Sequence, residues 1–296
     1  MAATTATKKK GKLLAALAAV LLGLVLLWLF LQHVFPHRHQ PFRPGYGRLD
    51  LSSILAQDTL EPVDYQVLYT QTGLGNVAID ELRERGEEGI GQILETQVAF
   101  FAPPGEDSCS LLGITTREHR YLDEDGHILY AAPLAPLKEG DIILSFSTHT
   151  AGWTHGHAGL VIDPEWGVTL ESVVLGSNSG LMDINHWRSY TTMMVLRPKA
   201  DDDTRRKVVE LAGKHLVDIP YSLVSGVFGN KFQPLDGPHD AHCGYLPWYA
   251  WRAVGIDLDG DGGRVVAPLD LAMSGKAEIV QIYGIDPAKY PLRLEK

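Results

Sequence analysis

The chain has few cysteines, and outside its first fifty residues it has little positive charge. Only Cys109 and Cys243 occur among 296 residues, which excludes a disulfide framework and allows at most one bridge. Beyond residue 50 there are 19 basic and 35 acidic residues, a net charge of −16. Because phosphate contacts need clustered basic side chains, we expect no nucleic-acid partner. The hydrophobic content of 45% is enough for a sizeable core without covalent staples.

One long apolar run lies behind a lysine cluster at the N-terminus. Residues 13–31 contain no charge and match the roughly 20 residues of a membrane-spanning helix. No small-residue cleavage site follows, and no cysteine follows that could carry a lipid anchor. A buried core helix is the alternative, but such a helix is seldom apolar on every side.

The lysines before this run favour a cytoplasmic amino end. We therefore predict a cell-membrane protein with a single span and an extracytoplasmic C-terminal domain. The predicted parts are a basic tail at 1–12, a transmembrane signal anchor at 13–31 and an irregular juxtamembrane linker at 32–50.

The remaining pattern predicts helices first, then short strands with later helices. Helical spacing between residues 61 and 101 assigns 51–136 as a helical accessory region. The stretch 101–137 is rich in Pro, Gly and Asp and is predicted to be loops, with one strand at 127–132. From residue 137 to 296 the pattern is that of an α+β domain. It has strands over 141–147, 157–163, 168–174 and 191–196, helices from about 202 and over 244–254, and a last strand over 277–284.

A hairpin places a carboxylate near a histidine. The segment Asp163-Pro-Glu-Trp-Gly167 favours a turn between two strands. A turn centred near residues 164–165 puts His157 opposite or diagonal to Glu171, within reach of its side chain. Glu171 can then orient the imidazole, although a solvent-facing glutamate is the simpler interpretation of an alternating strand.

Cys243 lies just before a predicted helix. A thiol at a helix N-terminus gains thiolate character, and the free backbone N–H groups there can hold an oxyanion. Most free cysteines are buried hydrophobes, but the polar run before Cys243 is unusual for that role. Pro247 removes one helical hydrogen bond, which places the first regular turn after the cysteine.

Several short motifs resemble the circularly permuted papain-like amidases of the NlpC superfamily, the YaeF/YiiX group. The motifs are Lys138-Glu-Gly-Asp-Ile-Ile-Leu, Thr154-His-Gly-His-Ala-Gly-Leu-Val-Ile, Thr169-Leu-Glu-Ser, Ile219-Pro-Tyr, His242-Cys-Gly-Tyr-Leu and Val266-Ala-Pro-Leu-Asp-Leu-Ala-Met-Ser. The resemblance implies a permuted papain-like domain, an antiparallel sheet packed with helices. It implies Cys243 as nucleophile, His157 as general base and Glu171 as the third polar residue. A small polar residue often follows the cysteine in this family, whereas this chain has Gly244 there.

The expected function is a membrane-anchored thiol hydrolase, an amidase or peptidase. Its substrates are amide bonds of cell-wall peptides or lipid-linked molecules, and it requires no cofactor or metal. The lipid acyl transfer of the related retinol-acyltransferase-like group fits the cysteine's surroundings less well.

Two other classes stay open. His155 and His157 share a strand face and, with Asp163 or Cys243, can form the site of a zinc-dependent hydrolase. A catalytically silent, membrane-tethered binding module is the third class. The Asp-rich segment 257–262 begins like a calcium loop, but its twelfth position is Pro268 rather than a bidentate carboxylate, so a polar turn is favoured.

Overall fold

A six-stranded antiparallel sheet forms the centre of the computed structural model, with strand order β10-β9-β3-β6-β7-β8. A smaller sheet has the order β1-β2-β4-β5. The described residues are 2–34, 41–102, 105–112, 116–150, 153–228, 230–232 and 237–293. The strands are β1 Glu106–Leu112, β2 Thr116–Leu122, β3 Ile142–Ser145, β4 Thr148–Thr150, β5 Trp153–Thr154, β6 His157–Asp163, β7 Val168–Glu171, β8 Gly180–Asp183, β9 Met193–Pro198 and β10 Ala277–Tyr283.

Helices precede and follow these strands, which confirms the predicted α+β class. They are α1 Ala2–Val34, α2 Ser52–Leu55, α3 Pro62–Thr72, α4 Asn76–Glu84, α5 Glu87–Phe101, α6 Asp202–His215, α7 Tyr245–Ala253 and α8 Pro268–Ala272. Two 3₁₀ turns cover Ile184–Ser189 and Pro287–Lys289.

Alternate residues of a strand point to opposite sides of a sheet, and the central strands β3 and β9 are buried along their whole length, so both faces are covered there. Ile142 and Leu144 on β3 belong to a core shared with α6 and α7. Ile143, between them, belongs to a second core shared with α3, α4 and α5. The helices predicted as an accessory region therefore cover one face of the sheet that carries His157.

The prediction of loops over 101–137 is wrong for the two segments that form β1 and β2, whereas residues 123–137 have no regular helix or strand. Strands β1 and β2 form a seven-pair antiparallel ladder from Glu106↔Leu122 to Leu112↔Thr116. Their residues, such as Arg117-Glu-His-Arg120, are mostly polar, so the apolar alternation that indicates a strand is missing. The strand predicted over 127–132 is also absent, since that described stretch has one isolated bridge, Leu122↔Ile128.

The N-terminal helix α1 contains an apolar stretch, Lys12–Phe30, that by length and composition can span a membrane. None of that stretch is buried against the rest of the protein. Within the predicted linker, residues 41–50 have no regular secondary structure, yet the Phe42 N–H donates to the Gly284 carbonyl at 2.8 Å. The Arg43 guanidinium donates to the Tyr121 hydroxyl at 2.6 Å, so this part of the linker is attached to the domain.

Candidate active site

His157 and Glu171 lie on neighbouring strands, β6 and β7, in the predicted hairpin. Gly159 pairs with Glu171 across the ladder, so His157 is diagonal to Glu171. The imidazole Nε2 donates to the Glu171 Oε2 at 2.7 Å. Both side chains are buried, with side-chain exposures of 7% and 0%. Glu171 therefore points to the histidine rather than to solvent, and it leaves Nδ1 of His157 for another partner.

Three further groups surround the Glu171 carboxylate. Trp187 Nε1 donates to its Oε1 at 2.9 Å, and the Thr169 hydroxyl donates to the same oxygen at 2.5 Å. His186 Nε2 lies 3.2 Å from Oε2. Burial raises the pKa of Glu171, but its histidine contacts outweigh burial and hold the pKa well below its usual range. Glu171 is therefore a charged, immobilised acceptor.

Gly159 makes room for this arrangement. The Trp187 and His157 rings stack with centroids 5.2 Å apart and planes 10° from parallel. A Cβ on residue 159 would come within 2.8 Å of the Trp187 ring and 3.1 Å of the Glu171 Cγ. Glycine in the His157-Ala-Gly159 motif is thus explained by the close approach of the indole.

Cys243 lies in a turn immediately before α7, as predicted. The helix begins at Tyr245, which makes Pro247 its third residue. A proline in the first turn removes an N–H that has no intrahelical acceptor, so Pro247 does not disrupt the helix. Gly244 also has a local reason, because a Cβ there would lie 2.1 Å from the Val266 carbonyl oxygen.

The Cys243 thiol and the His157 imidazole lie close enough to shift each other's protonation. Burial alone raises the pKa of Cys243, but the neighbouring His157 and His242 imidazoles lower it to about 5. Burial alone lowers the pKa of His157, but its bonds to Cys243 and Glu171 raise it to about 10. At a pH between these two pKa values, Cys243 is a thiolate and His157 is an imidazolium, which is the form of an activated cysteine nucleophile.

His242 is a second imidazole beside the sulfur. Its Nδ1 accepts from the Tyr245 N–H at 3.3 Å, which leaves the proton on Nε2. That Nε2 is buried and has no conventional hydrogen-bond partner among the described residues. Because His242 helps to lower the pKa of Cys243, its Nε2–H is available to negative charge at the sulfur.

The other sequence motifs lie close to Cys243 and His157 in the structure. Ser172 donates to the Ala241 carbonyl at 3.2 Å, which joins the end of β7 to the segment before Cys243. Tyr221 bridges to Ala241, and Cys243 contributes to raising the Tyr221 pKa after burial. A Cβ on Gly156, one residue before His157, would be 3.4 Å from the Pro268 side chain. The motifs separated in sequence thus form one site.

The alternative sites have different surroundings. His155 Nδ1 contacts the Gly156 carbonyl at 2.9 Å, and Asp163 caps its own turn by accepting from the Trp166 N–H. In the part of the chain that the structure describes, the clusters able to hold an ion include neither His155 nor His157.

The Asp-rich segment that begins like a calcium loop forms a cluster with a nearby lysine, and the two cysteines are not joined by a disulfide. Asp259, Asp261 and Asp270 bring carboxylate oxygens within 4.8 Å of one another, and the Lys231 ammonium pairs with Asp259. Cys109 and Cys243 are both free thiols, so they do not pair with each other.

Sequence reasoning missed Trp187, Thr169, His186 and His242 as parts of the site. Trp187 and His186 lie on a short 3₁₀ turn that has no helical or strand period. The one available signal was Glu171 itself, since a buried carboxylate requires several donors.

A surface cleft lies elsewhere, lined by residues such as Lys199, Met273, Glu278 and Arg293. Its lining contains no thiol or imidazole, whereas the chemistry capable of bond cleavage surrounds Cys243. We therefore assign the candidate active site by side-chain chemistry rather than by cavity size.

Comparisons of the chain with family models, with curated proteins and with solved structures found no match. The function is therefore inferred from the chemistry of the site.

Proposed function

We propose that this protein is a membrane-anchored cysteine hydrolase that cleaves amide bonds, with a permuted papain-like domain outside the cytoplasm. The observation that carries the proposal is the buried chain of contacts from Cys243 through His157 to Glu171. Cys243, His157 and Glu171 have the side-chain types and the positions expected of a nucleophile, a general base and the group that orients the base. The histidine strand before the cysteine helix is the order expected of the permuted family.

In the first half of the reaction, the Cys243 thiolate attacks the substrate carbonyl carbon and forms a tetrahedral oxyanion. The His157 imidazolium donates its proton to the departing nitrogen as the carbon–nitrogen bond breaks. This step releases an amine and leaves a thioester on Cys243.

In the second half, water attacks the thioester while neutral His157 accepts its proton. The carbon–sulfur bond breaks, the carboxylic acid leaves, and the thiolate–imidazolium pair is restored. Throughout, Glu171 keeps the imidazole oriented and stabilises its positive charge. The His242 Nε2–H is suited to stabilise the oxyanion, because the Tyr245 and Leu246 N–H groups at the start of α7 already donate to the His242 carbonyl.

Exposed apolar side chains in the segment that follows Tyr221 favour a substrate with an apolar portion. Leu223, Val224 and Phe228 are exposed and follow Tyr221 within seven residues. Together with an N-terminal membrane anchor, this surface favours lipid-linked amides over soluble peptides as the natural substrate.

The proposal is tested with the full chain in detergent micelles and an activated acyl ester, p-nitrophenyl butyrate. We expect turnover, and an acid quench should trap one butyryl group on Cys243 by mass spectrometry. Cys243→Ala should abolish both, while Cys109→Ser should retain both. Turnover that survives Cys243→Ala would refute the assignment, and wild-type protein with neither turnover nor adduct would indicate a binding module.

A further inference from the structure

A second cluster of a thiol and imidazoles lies in the small sheet, apart from the proposed catalytic residues. Cys109 on β1 is directly paired with His119 on β2. His149 lies on β4, the next strand of that sheet. The Cys109 Sγ is 3.9 Å from the His149 Nε2, and the two imidazole rings have centroids 5.5 Å apart. One ligand atom from each of the three residues lies within 4.8 Å of the others.

A carboxylate orients one of these histidines. Asp107, two residues before Cys109, has its Oδ1 2.9 Å from the His119 Nδ1. A carboxylate on one ring nitrogen fixes the tautomer and the orientation of a metal-binding histidine, whose other nitrogen then faces the metal. His119 and His149 are both buried, with 3% and 4% exposure. Two buried imidazoles around one thiol are the donor types that zinc prefers.

We propose that Cys109, His119 and His149 bind a zinc-class divalent ion, with Asp107 orienting His119. Cys109 binds as the thiolate, and its proton is released to solvent. Ligand atoms around tetrahedral zinc are about 3.5 Å apart, so small side-chain rotations within the present cluster suffice. Three protein ligands leave one position for water or another ligand.

A second nucleophile at Cys109, with His119 and Asp107 as a triad, is the competing interpretation. The described structure gives Cys109 a position in the middle of a β-strand, without the helix N-terminus that Cys243 has. The metal interpretation accounts for all four side chains.

The ion would connect the small sheet to the neighbourhood of the active site. His149 precedes His157 by eight residues, through strand β5. His155, between them, is electrostatically coupled to both His149 and Cys243. We therefore expect the ion to stabilise the position of the chain that leads into His157.

The test uses the full chain in detergent, stripped with a chelator and titrated with Zn²⁺ and then with Co²⁺. We expect one tightly bound ion per chain and a thiolate-to-cobalt charge-transfer band. Cys109→Ser should remove the band, while the matched Cys243→Ser should retain it. Asp107→Asn should weaken Zn²⁺ binding by about 10- to 100-fold.

A misfolded Cys109→Ser protein would not confuse the result, because His149→Gln is tested in parallel and circular dichroism checks both folds. Absence of stoichiometric binding would overturn the proposal, as would a charge-transfer band that Cys243→Ser removes. Loss of esterase turnover in folded Cys109→Ser, with turnover retained in folded, metal-free His149→Gln, would overturn it in favour of a second nucleophile. These outcomes leave the assignment of Cys243 to be judged separately by its own acyl adduct.

Discussion

At the scale of single residues, the site depends on a carboxylate that is fully buried and still charged. Glu171 accepts hydrogen bonds from His157, Trp187 and Thr169, with His186 also 3.2 Å away. A buried charge without such partners costs several kcal/mol, so the whole shell is needed to keep Glu171 ionised. The sequence predicted Glu171 from hairpin register, but its donors come from a turn that no periodicity reveals.

Replacing Glu171 tests this role. Glu171→Gln keeps the shape but removes the negative charge, so the imidazolium form of His157 is less stable and its pKa falls from about 10. We expect kcat/KM for the ester to fall about 100-fold or more, within the usual contribution of general acid–base catalysis. The alkaline limb of the pH–rate profile should move to lower pH. Glu165→Gln, in the exposed turn of the same hairpin, is the control, and equal profiles for the two variants would contradict the account.

At the scale of elements, the register of β6 and β7 and the start of α7 place the catalytic residues. The sequence predicted β6 at its observed bounds and α7 to within a residue at each end, because apolar periodicity and turn residues are strong there. It missed β1, β2 and β4, which are polar or very short, and with them the cluster around Cys109. Polar strands are specified by pairing with neighbours, which a local pattern does not contain.

A buried ion cluster holds α6 against the sheet. Asp141, next to β3, accepts from Arg197 on β9 at 2.7 Å and from Arg205 on α6 at 3.2 Å. Asp141→Asn removes the only anion paired with Arg205 among the described residues and one of the two anions paired with Arg197, which keeps Glu81, so the free energy of unfolding should fall by about 3–5 kcal/mol. Urea denaturation followed by circular dichroism measures this change. Asp203→Asn, which breaks an exposed pair on α6, should leave the midpoint unchanged, and similar midpoints for both variants would contradict the role.

At the scale of the whole molecule, an apolar helix precedes a domain whose central sheet is covered on both faces. The order of strand and helix patterns along the chain predicted the α+β class, and hydropathy predicted the apolar span. The joint core of the early helices and the sheet was not predicted, since packing between distant segments leaves no local signal.

Membrane attachment is tested by charging the centre of α1. Leu21→Arg with Leu22→Arg adds two residues that each cost about 2.5–3.5 kcal/mol at the centre of a span. We expect the protein to move from the alkali-resistant membrane fraction to the soluble fraction. Leu49→Arg with Val63→Arg, at exposed positions outside the span, should not move it. A double Leu21/Leu22 variant that stays in the membrane fraction would contradict the anchor. The side of the membrane is tested separately, because protease added to sealed cells should digest the domain if it is extracytoplasmic.

The central claim, that His157 activates Cys243, is tested most directly by the pH dependence of thiol alkylation. Iodoacetamide labelling of the full chain is followed at Cys243 by peptide mass mapping from pH 4 to pH 10. A pKa of about 5 predicts that labelling stays fast down to about pH 5. His157→Ala should return the thiol towards its ordinary pKa of about 8.5 and lower the thiolate fraction at pH 6 by about 100-fold or more. Labelling that begins only above about pH 8 in the wild type, or that is unchanged by His157→Ala, would contradict the account.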